Sequence, residues 1–166
     1  MATSTRRIRP GEGALLRDLR LRALLDSPSA FASTYADEAP RAPQDWDARA
    51  RWGAAGVDRV TFVAEHDGTP VGIAGGYWSD RGAGQVDLLS MWVDPGARGS
   101  GAGRRLVEAV LGWAAEAGAR SVGLWVTRGN EAAVRLYESA GFEPDGQFQP
   151  LPSDPCKEEL RMVREL

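Results

Sequence analysis

The sequence predicts an α+β domain of three layers, a mixed sheet between helices, and three observations lead there. Periodicity along the chain runs strand, helices, three strands, helix, strand, helix, two strands. The run Leu88–Val93 is densely apolar and passes through a glycine-rich turn into an amphipathic helix. No repeat, low-complexity segment or linker interrupts the 166 residues, so one domain over residues 1–166 is expected. A chain of that size buries about 70% of its unfolded surface.

Thr3–Arg9 alternates weakly, as a first strand with Arg6, Arg7 and Arg9 as solvated charges near an edge, and Pro10 and Gly11 end it. Glu12–Asp26 is a helix with Leu15, Leu16, Leu19, Leu21 and Leu25 on an apolar face among arginines. Ser27-Pro28-Ser29 stops it, and Ser29 is placed to cap a short helix through Ala39. Pro40 to Pro43 makes a second break before a short helix over Gln44–Gly53 that carries Trp46 and Trp52. Val60–Glu65 and Val71–Trp78 are strands about a turn at His66–Pro70, where His66-Asp67-Gly68 has hairpin chemistry. Gly72, Gly75 and Gly76 point to a bulge or a close backbone approach in the second of these strands. The loop Ser79–Gly84 feeds the strand Gln85–Val93.

After the long helix, Ser121–Thr127 is a buried strand. Asn130 is placed to cap a helix whose Ala133, Leu136, Tyr137 and Ala140 share one face, and Gly141 ends it. Phe142–Phe148 and Glu158–Leu166 are the last strands, with Gln149–Lys157 and its three prolines as the loop between them.

Composition narrows the function. Hydrophobic residues make up 43% and charged residues 26%, with a net charge of −3, which argues against a nucleic-acid backbone as partner. The start, MATSTRRIRPGEG, has no apolar run and reads as neither signal peptide nor membrane span, so a cytoplasmic protein with no membrane partner is expected. One cysteine, Cys156, and one histidine, His66, leave no basis for a disulfide, a thiolate cluster or a histidine metal site, and no metal is expected.

The most informative stretch follows Val93. Asp94-Pro95-Gly96 stops the strand, Gly99, Gly101 and Gly103 alternate within Arg98-Gly99-Ser100-Gly101-Ala102-Gly103, and Leu106, Val107, Val110, Leu111, Ala114 and Ala117 then form a helical stripe ending at Gly118. The first turn of a helix offers unpaired N–H groups and the positive dipole end, which favour a phosphate or pyrophosphate. Glycines allow close backbone approach to such an anion, and Arg98 and Arg104 add charge. A Walker loop requires Lys-Ser/Thr after its last glycine, and Arg104 follows Gly103. The dinucleotide fingerprint requires a sixth-place glycine, which counted from Gly99 is Arg104. Both patterns fail.

What remains, Arg98-x-x-Gly101-x-Gly103 after Val93-Asp94-Pro95, resembles the coenzyme A pyrophosphate pattern of the GNAT superfamily of acetyl-CoA-dependent N-acetyltransferases. Asn130-x-x-Ala133-x-x-Leu136-Tyr137-x-x-x-Gly141-Phe142 is similar to a second pattern of that family at every named position, and the resemblance is specific over residues 84–142. Leu19–Phe31 also resembles, as a short pattern, the N-terminal region of one subgroup.

The resemblance implies a GNAT-like α/β/α fold, with a mixed, mostly antiparallel sheet of six to seven strands and splayed central parallel strands. It implies acetyl-CoA as co-substrate, with Met91, Val93, Arg98, Gly99, Ser100, Gly101, Ala102, Gly103, Arg104 and Asn130 as cofactor-binding residues. It implies Tyr137 near the thioester sulfur as the catalytic acid, and direct transfer of acetyl to a small-molecule or peptide amine in a ternary complex, in a chain that is a possible homodimer. The competing reading is a non-catalytic coenzyme A-binding sensor or interaction module. Asp87 and Glu65 are candidate bases but equally salt-bridged or solvated carboxylates, and neither is assigned. Ala30–Trp52 is expected as an acceptor lid, where Asp37, Glu38, Asp45 and Asp47 either attract a cationic amine or form a solvated helix face.

Overall fold

Two helical layers bury the faces of one seven-stranded sheet in the computed structural model, which describes residues 2–166. In chain order the elements are β1 (Thr3–Arg7), α1 (Gly13–Asp26), α2 (Tyr35–Glu38), α3 (Pro43–Ala55), β2 (Arg59–His66), β3 (Thr69–Asp80), β4 (Gln85–Val93), α4 (Ala102–Glu116), β5 (Ser121–Thr127), α5 (Glu131–Ser139), β6 (Glu143–Leu151) and β7 (Asp154–Glu165). The strand order is β1-β2-β3-β4-β5-β7-β6. Every neighbouring pair is antiparallel except the central one, β4 and β5, which is parallel. This is the fold class expected from the sequence.

The predicted stripe of α4 supplies one core: Leu106, Val107, Val110 and Leu111 are buried with Ala74, Val86, Val122 and Leu124 of the sheet, and Tyr137 of α5 joins them. On the opposite face Leu16, Leu19 and Leu24 of α1 and Trp46 of α3 pack with Val63, Ile73 and Trp92. Each large apolar side chain so buried stabilises the fold by about 1.5–3 kcal/mol. The glycines of β3 answer to both readings of them. A Cβ at Gly76 would lie 3.0 Å from Val110 of α4, a close approach of helix to strand, and the register of β3 on β4 slips between Ile73 and Gly75.

Several expectations need correction. Leu25 is exposed and Leu24 takes its place in the core. Arg6 is not a solvated charge: it is paired with Glu12 at 2.8 Å and with Glu65. The helix expected from Ser29 is a 3-10 turn over Pro28–Ala30, extended chain at Phe31, and then the single turn α2, whose cap is Thr34 accepting from Asp37 N at 3.2 Å. Gln149–Lys157 is not a loop, since β6 and β7 run on to a tight turn between Leu151 and Asp154. Pro144 and Pro150 are tolerated because β6 is an edge strand, and Pro155 lies where the register slips.

The feature that makes a site is the central pair. β4 and β5 are paired only at Gln85↔Ser121, Val86↔Val122 and Asp87↔Gly123, and beyond that point the strands part. The vertex is clamped from β7: Arg161 donates to both Asp87 oxygens at 2.6 and 2.8 Å, and Ser79 Oγ donates to Asp87 at 2.8 Å. Gly123 makes the reach across β5 feasible, because a Cβ there would lie 2.2 Å from the Arg161 guanidinium.

Candidate active site

Where β4 and β5 diverge, a cleft of about 540 Å³ opens between Leu88–Val93 on one wall and Trp125–Thr127 on the other. The strand edges facing it have no partner strand there, which leaves backbone polar groups for a ligand, with the Val93 carbonyl already accepting from Arg98 and the Thr127 carbonyl from Asn130 N. Met91 and Val93 line one wall. A bulge in β4 interrupts this wall at Ser90, which has φ +58°, a conformation uncommon for a residue with a Cβ.

The start of α4 closes one end. Gly99 and Gly101 have φ of +83° and +88°, and a Cβ on either would meet nothing within 4 Å, so the space above the loop is open. The N–H groups of Gly99, Gly101, Gly103 and Arg104 have no hydrogen-bond acceptor among the described residues. Four such donors beside the positive end of a long helix form an anion cradle. Gly101 itself is the N-cap, so this cap offers no side-chain acceptor to satisfy them.

Gly99, Gly101, Gly103, Arg98, Arg104 and Asn130 all line the cleft with Met91, Val93 and Tyr137. Ser100 and Ala102 do not. Ser100 Oγ accepts from Ala102 N at 3.3 Å and Ala102 is buried, so the pair shapes the turn from behind. The Arg98 guanidinium donates to Asp26 at 2.6 Å and to the Val93 carbonyl at 3.1 Å, tying the loop to the end of α1. Asp26 is held down at about 2 by hydrogen bonds from Trp92 and Ser27, against its burial, with Arg98 adding to them. Arg104 reaches Glu108 at 2.9 Å and Ser139 at 3.1 Å.

From α5, Asn130 Oδ1 accepts from Ala133 N at 3.3 Å, the cap expected of it. Tyr137 is 6% exposed, its ring stands edge-on to Phe142 at 5.9 Å, and its hydroxyl makes no hydrogen bond among the described residues. Burial pushes this phenol well above the usual phenol range, so it holds its proton at neutral pH.

Neither candidate base is available. Asp87 is the buried partner of Arg161, and Glu65 is paired with Arg6 on the edge of the sheet. No carboxylate of the described residues lines the cleft. Glu38 is likewise engaged, by Arg20 at 2.9 Å and Arg49 at 3.4 Å, which hold it below the usual carboxyl range although its burial acts the other way.

A second cavity of about 330 Å³ lies on the α1 and α3 side and meets the cleft at Leu89 and Ser90, which line both. Sequence reasoning missed Ser90 and Arg20, whose Nη1 donates to Ser90 Oγ at 3.0 Å. A serine within an apolar strand carries no sign that its φ is positive.

The cleft thus joins a loop of unpaired N–H groups at one end to a protonated phenol in its wall. The chain belongs to the acetyltransferase (GNAT) family, whose model matches residues 21–142. A mycothiol acetyltransferase of Thermobispora bispora is 37% identical over 133 residues, 75% of this chain and 40% of that protein. An N-acetyltransferase of Mycobacterium tuberculosis, described as uncharacterised, is 38% identical over 88 residues, 53% of this chain and 55% of that one. The chain thus spans about 40% of the length of the mycothiol acetyltransferases it matches. Among solved structures, a GCN5-related N-acetyltransferase of Kribbella flavida has a TM-score of 0.78 at 25% identity, covering 99% of this chain and 98% of that one. The spermidine N-acetyltransferase of Vibrio cholerae, in complex with CoA and spermine, shares the fold with a TM-score of 0.78 at 16% identity, covering 98% of this chain and 95% of that one.

Proposed function

We propose that the chain is an N-acetyltransferase that binds acetyl-CoA in the fork and transfers its acetyl group to a primary amine by direct attack in a ternary complex. The observation that carries this reading is the unpaired strand edge of β4 running from Ser90 to a loop with four free N–H groups. The parts match the needs of the cofactor: donors at Gly99, Gly101, Gly103 and Arg104 and open space at Gly99 and Gly101 for a pyrophosphate, and the backbone of Met91 and Val93 for an amide-bearing arm. When bound, acetyl-CoA supplies an acetyl thioester whose C–S bond gives way to a C–N bond with the amine. Tyr137 holds a proton at the wall of the cleft, where it can pass to a departing thiolate. That buried, unshared phenol favours an enzyme over a coenzyme A sensor.

With no carboxylate in the cleft to serve as base, the amine gives its proton to water. An α-amine with a pKa of about 7.8 is then easier to deprotonate than a lysine amine at about 10.4, by roughly 3.5 kcal/mol at neutral pH. The rate should therefore rise with pH until the acceptor's own amine is neutral, and an amine series followed by pH–rate profiles checks this.

Thermal melting tests the cofactor. At 100 times its Kd, acetyl-CoA should raise Tm by about 5–11 °C, with CoA similar and ATP and NAD having little effect at equal concentration. A preference for NAD would falsify the reading. Gly101 gives a local test, since its φ of +88° strains any residue with a Cβ while the Cβ itself meets no protein atom within 4 Å. Gly101→Val should stay folded at a cost of about 1–3 kcal/mol and bind acetyl-CoA at least about tenfold more weakly in calorimetry. Normal binding would remove the loop from the site.

A further inference from the structure

The cavity behind Ser90 carries charge of one sign. Arg20, Arg49 and Arg59 line it, and no carboxylate of the described residues does. Arg20 and Arg49 share Glu38, whereas Arg59 forms no ion pair among the described residues and lies 5.4 Å from the centre of the Trp52 ring. Arg49 is held below the ordinary guanidinium value by its burial and by the neighbouring Arg41, in keeping with a local excess of positive charge. A guanidinium does not relieve such an excess by losing its proton, so the cavity beside the solvent-exposed Arg59 favours an anion.

Trp46 closes the cavity from α3: it is 1% exposed, and its indole N–H is buried too deeply to be reached from the cavity. The hydroxyl-bearing Tyr77 and Ser90 complete a polar wall, and Leu89 and Ser90 join the cavity to the cleft. At about 330 Å³ the volume is at the small end of ligand pockets.

We propose that this cavity is the acceptor site and selects a small primary amine that also carries an oxyanion, a carboxylate or phosphonate, held by Arg49 and Arg59 with its amine at Ser90. The proposal rests on the acetyltransferase reading. Of the two readings of the acidic residues in Ala30–Trp52, it sets aside the attraction of a cationic amine: the part of that segment facing the cavity is Trp46 and Arg49, and Glu38 is spent on arginines. A polyamine finds no counter-charge there, whereas an α-amino acid supplies the anion beside its amine.

Thiol release from acetyl-CoA separates the possibilities when each amino acid is compared with its own primary amide, 2-aminoethylphosphonate is set beside β-alanine, and spermidine and glucosamine are included. At least one anionic amine should exceed its uncharged counterpart by about 10–100-fold in kcat/KM, the span expected for a charged hydrogen-bonded contact. The carboxylate and phosphonate arms show which oxyanion fits. Arg59→Gln, at an exposed position that should not disturb folding, should cost about tenfold against that acceptor, mainly through KM, with acetyl-CoA affinity unchanged. Preference for amides, spermidine or glucosamine over every anionic amine overturns the oxyanion site and leaves the acetyltransferase reading standing, as does an unchanged KM in Arg59→Gln. Absence of both acetyl-CoA binding and thiol release with any amine overturns the two together.

Discussion

Replacing Tyr137 by phenylalanine is expected to lower the single-turnover rate of acetyl transfer by about 10²–10⁴-fold, the range for a lost general acid, while acetyl-CoA affinity stays nearly unchanged. The substitution keeps the ring that stands against Phe142 and removes only the hydroxyl, which bonds to nothing else among the described residues. Stability should therefore move little, and a rate loss cannot be laid to unfolding. The buried phenol keeps its proton well above neutral pH, as the acid form requires. Single-turnover measurement is the decisive one, since slow product release would hide the effect in kcat. A wild-type rate in that experiment would remove Tyr137 from the chemistry.

Asp87→Ala should destabilise the protein by about 3–5 kcal/mol, because it strands the Arg161 guanidinium in a site where both side chains are only 9% exposed. In a chain of this size that is a fall in Tm of about 6–20 °C. The cost comes from leaving one buried charge alone, not from the worth of the pair, so Asp87→Leu with Arg161→Met should recover most of the loss. Melting of the single and double variants checks both statements. A drop of less than about 2 °C in Asp87→Ala would mean that water reaches Arg161 freely.

What the sequence disclosed and what it hid have separate physical causes. The loop Arg98–Gly103 and helix α4 were legible because glycine spacing and a 3.6-residue stripe are local properties, and the same holds for Asn130, whose cap bond is made within its own first turn. The hairpin strands after Phe142 were misjudged at their inner ends, since proline ends a central strand but not an edge strand, and edge position is a matter of topology. Arg161 and Asp87 lie 74 residues apart and meet over the gap left by Gly123, so nothing near either one announces the pair. Glu38 is a similar case: among the acidic residues of its segment it is the one drawn inward, by an arginine 18 residues earlier.

The fork has a mechanical meaning beyond ligand contact. A sheet resists bending through its continuous ladder, and here the ladder between β1–β4 and β5–β7 is three residue pairs long. Two blades thus meet along a short seam with an ion pair at the pivot, and the core under α4 spans them both. Anything that lays hydrogen bonds along both inner edges adds rungs beyond the seam. It would stiffen the sheet as a whole and draw together blades whose far strands it never touches.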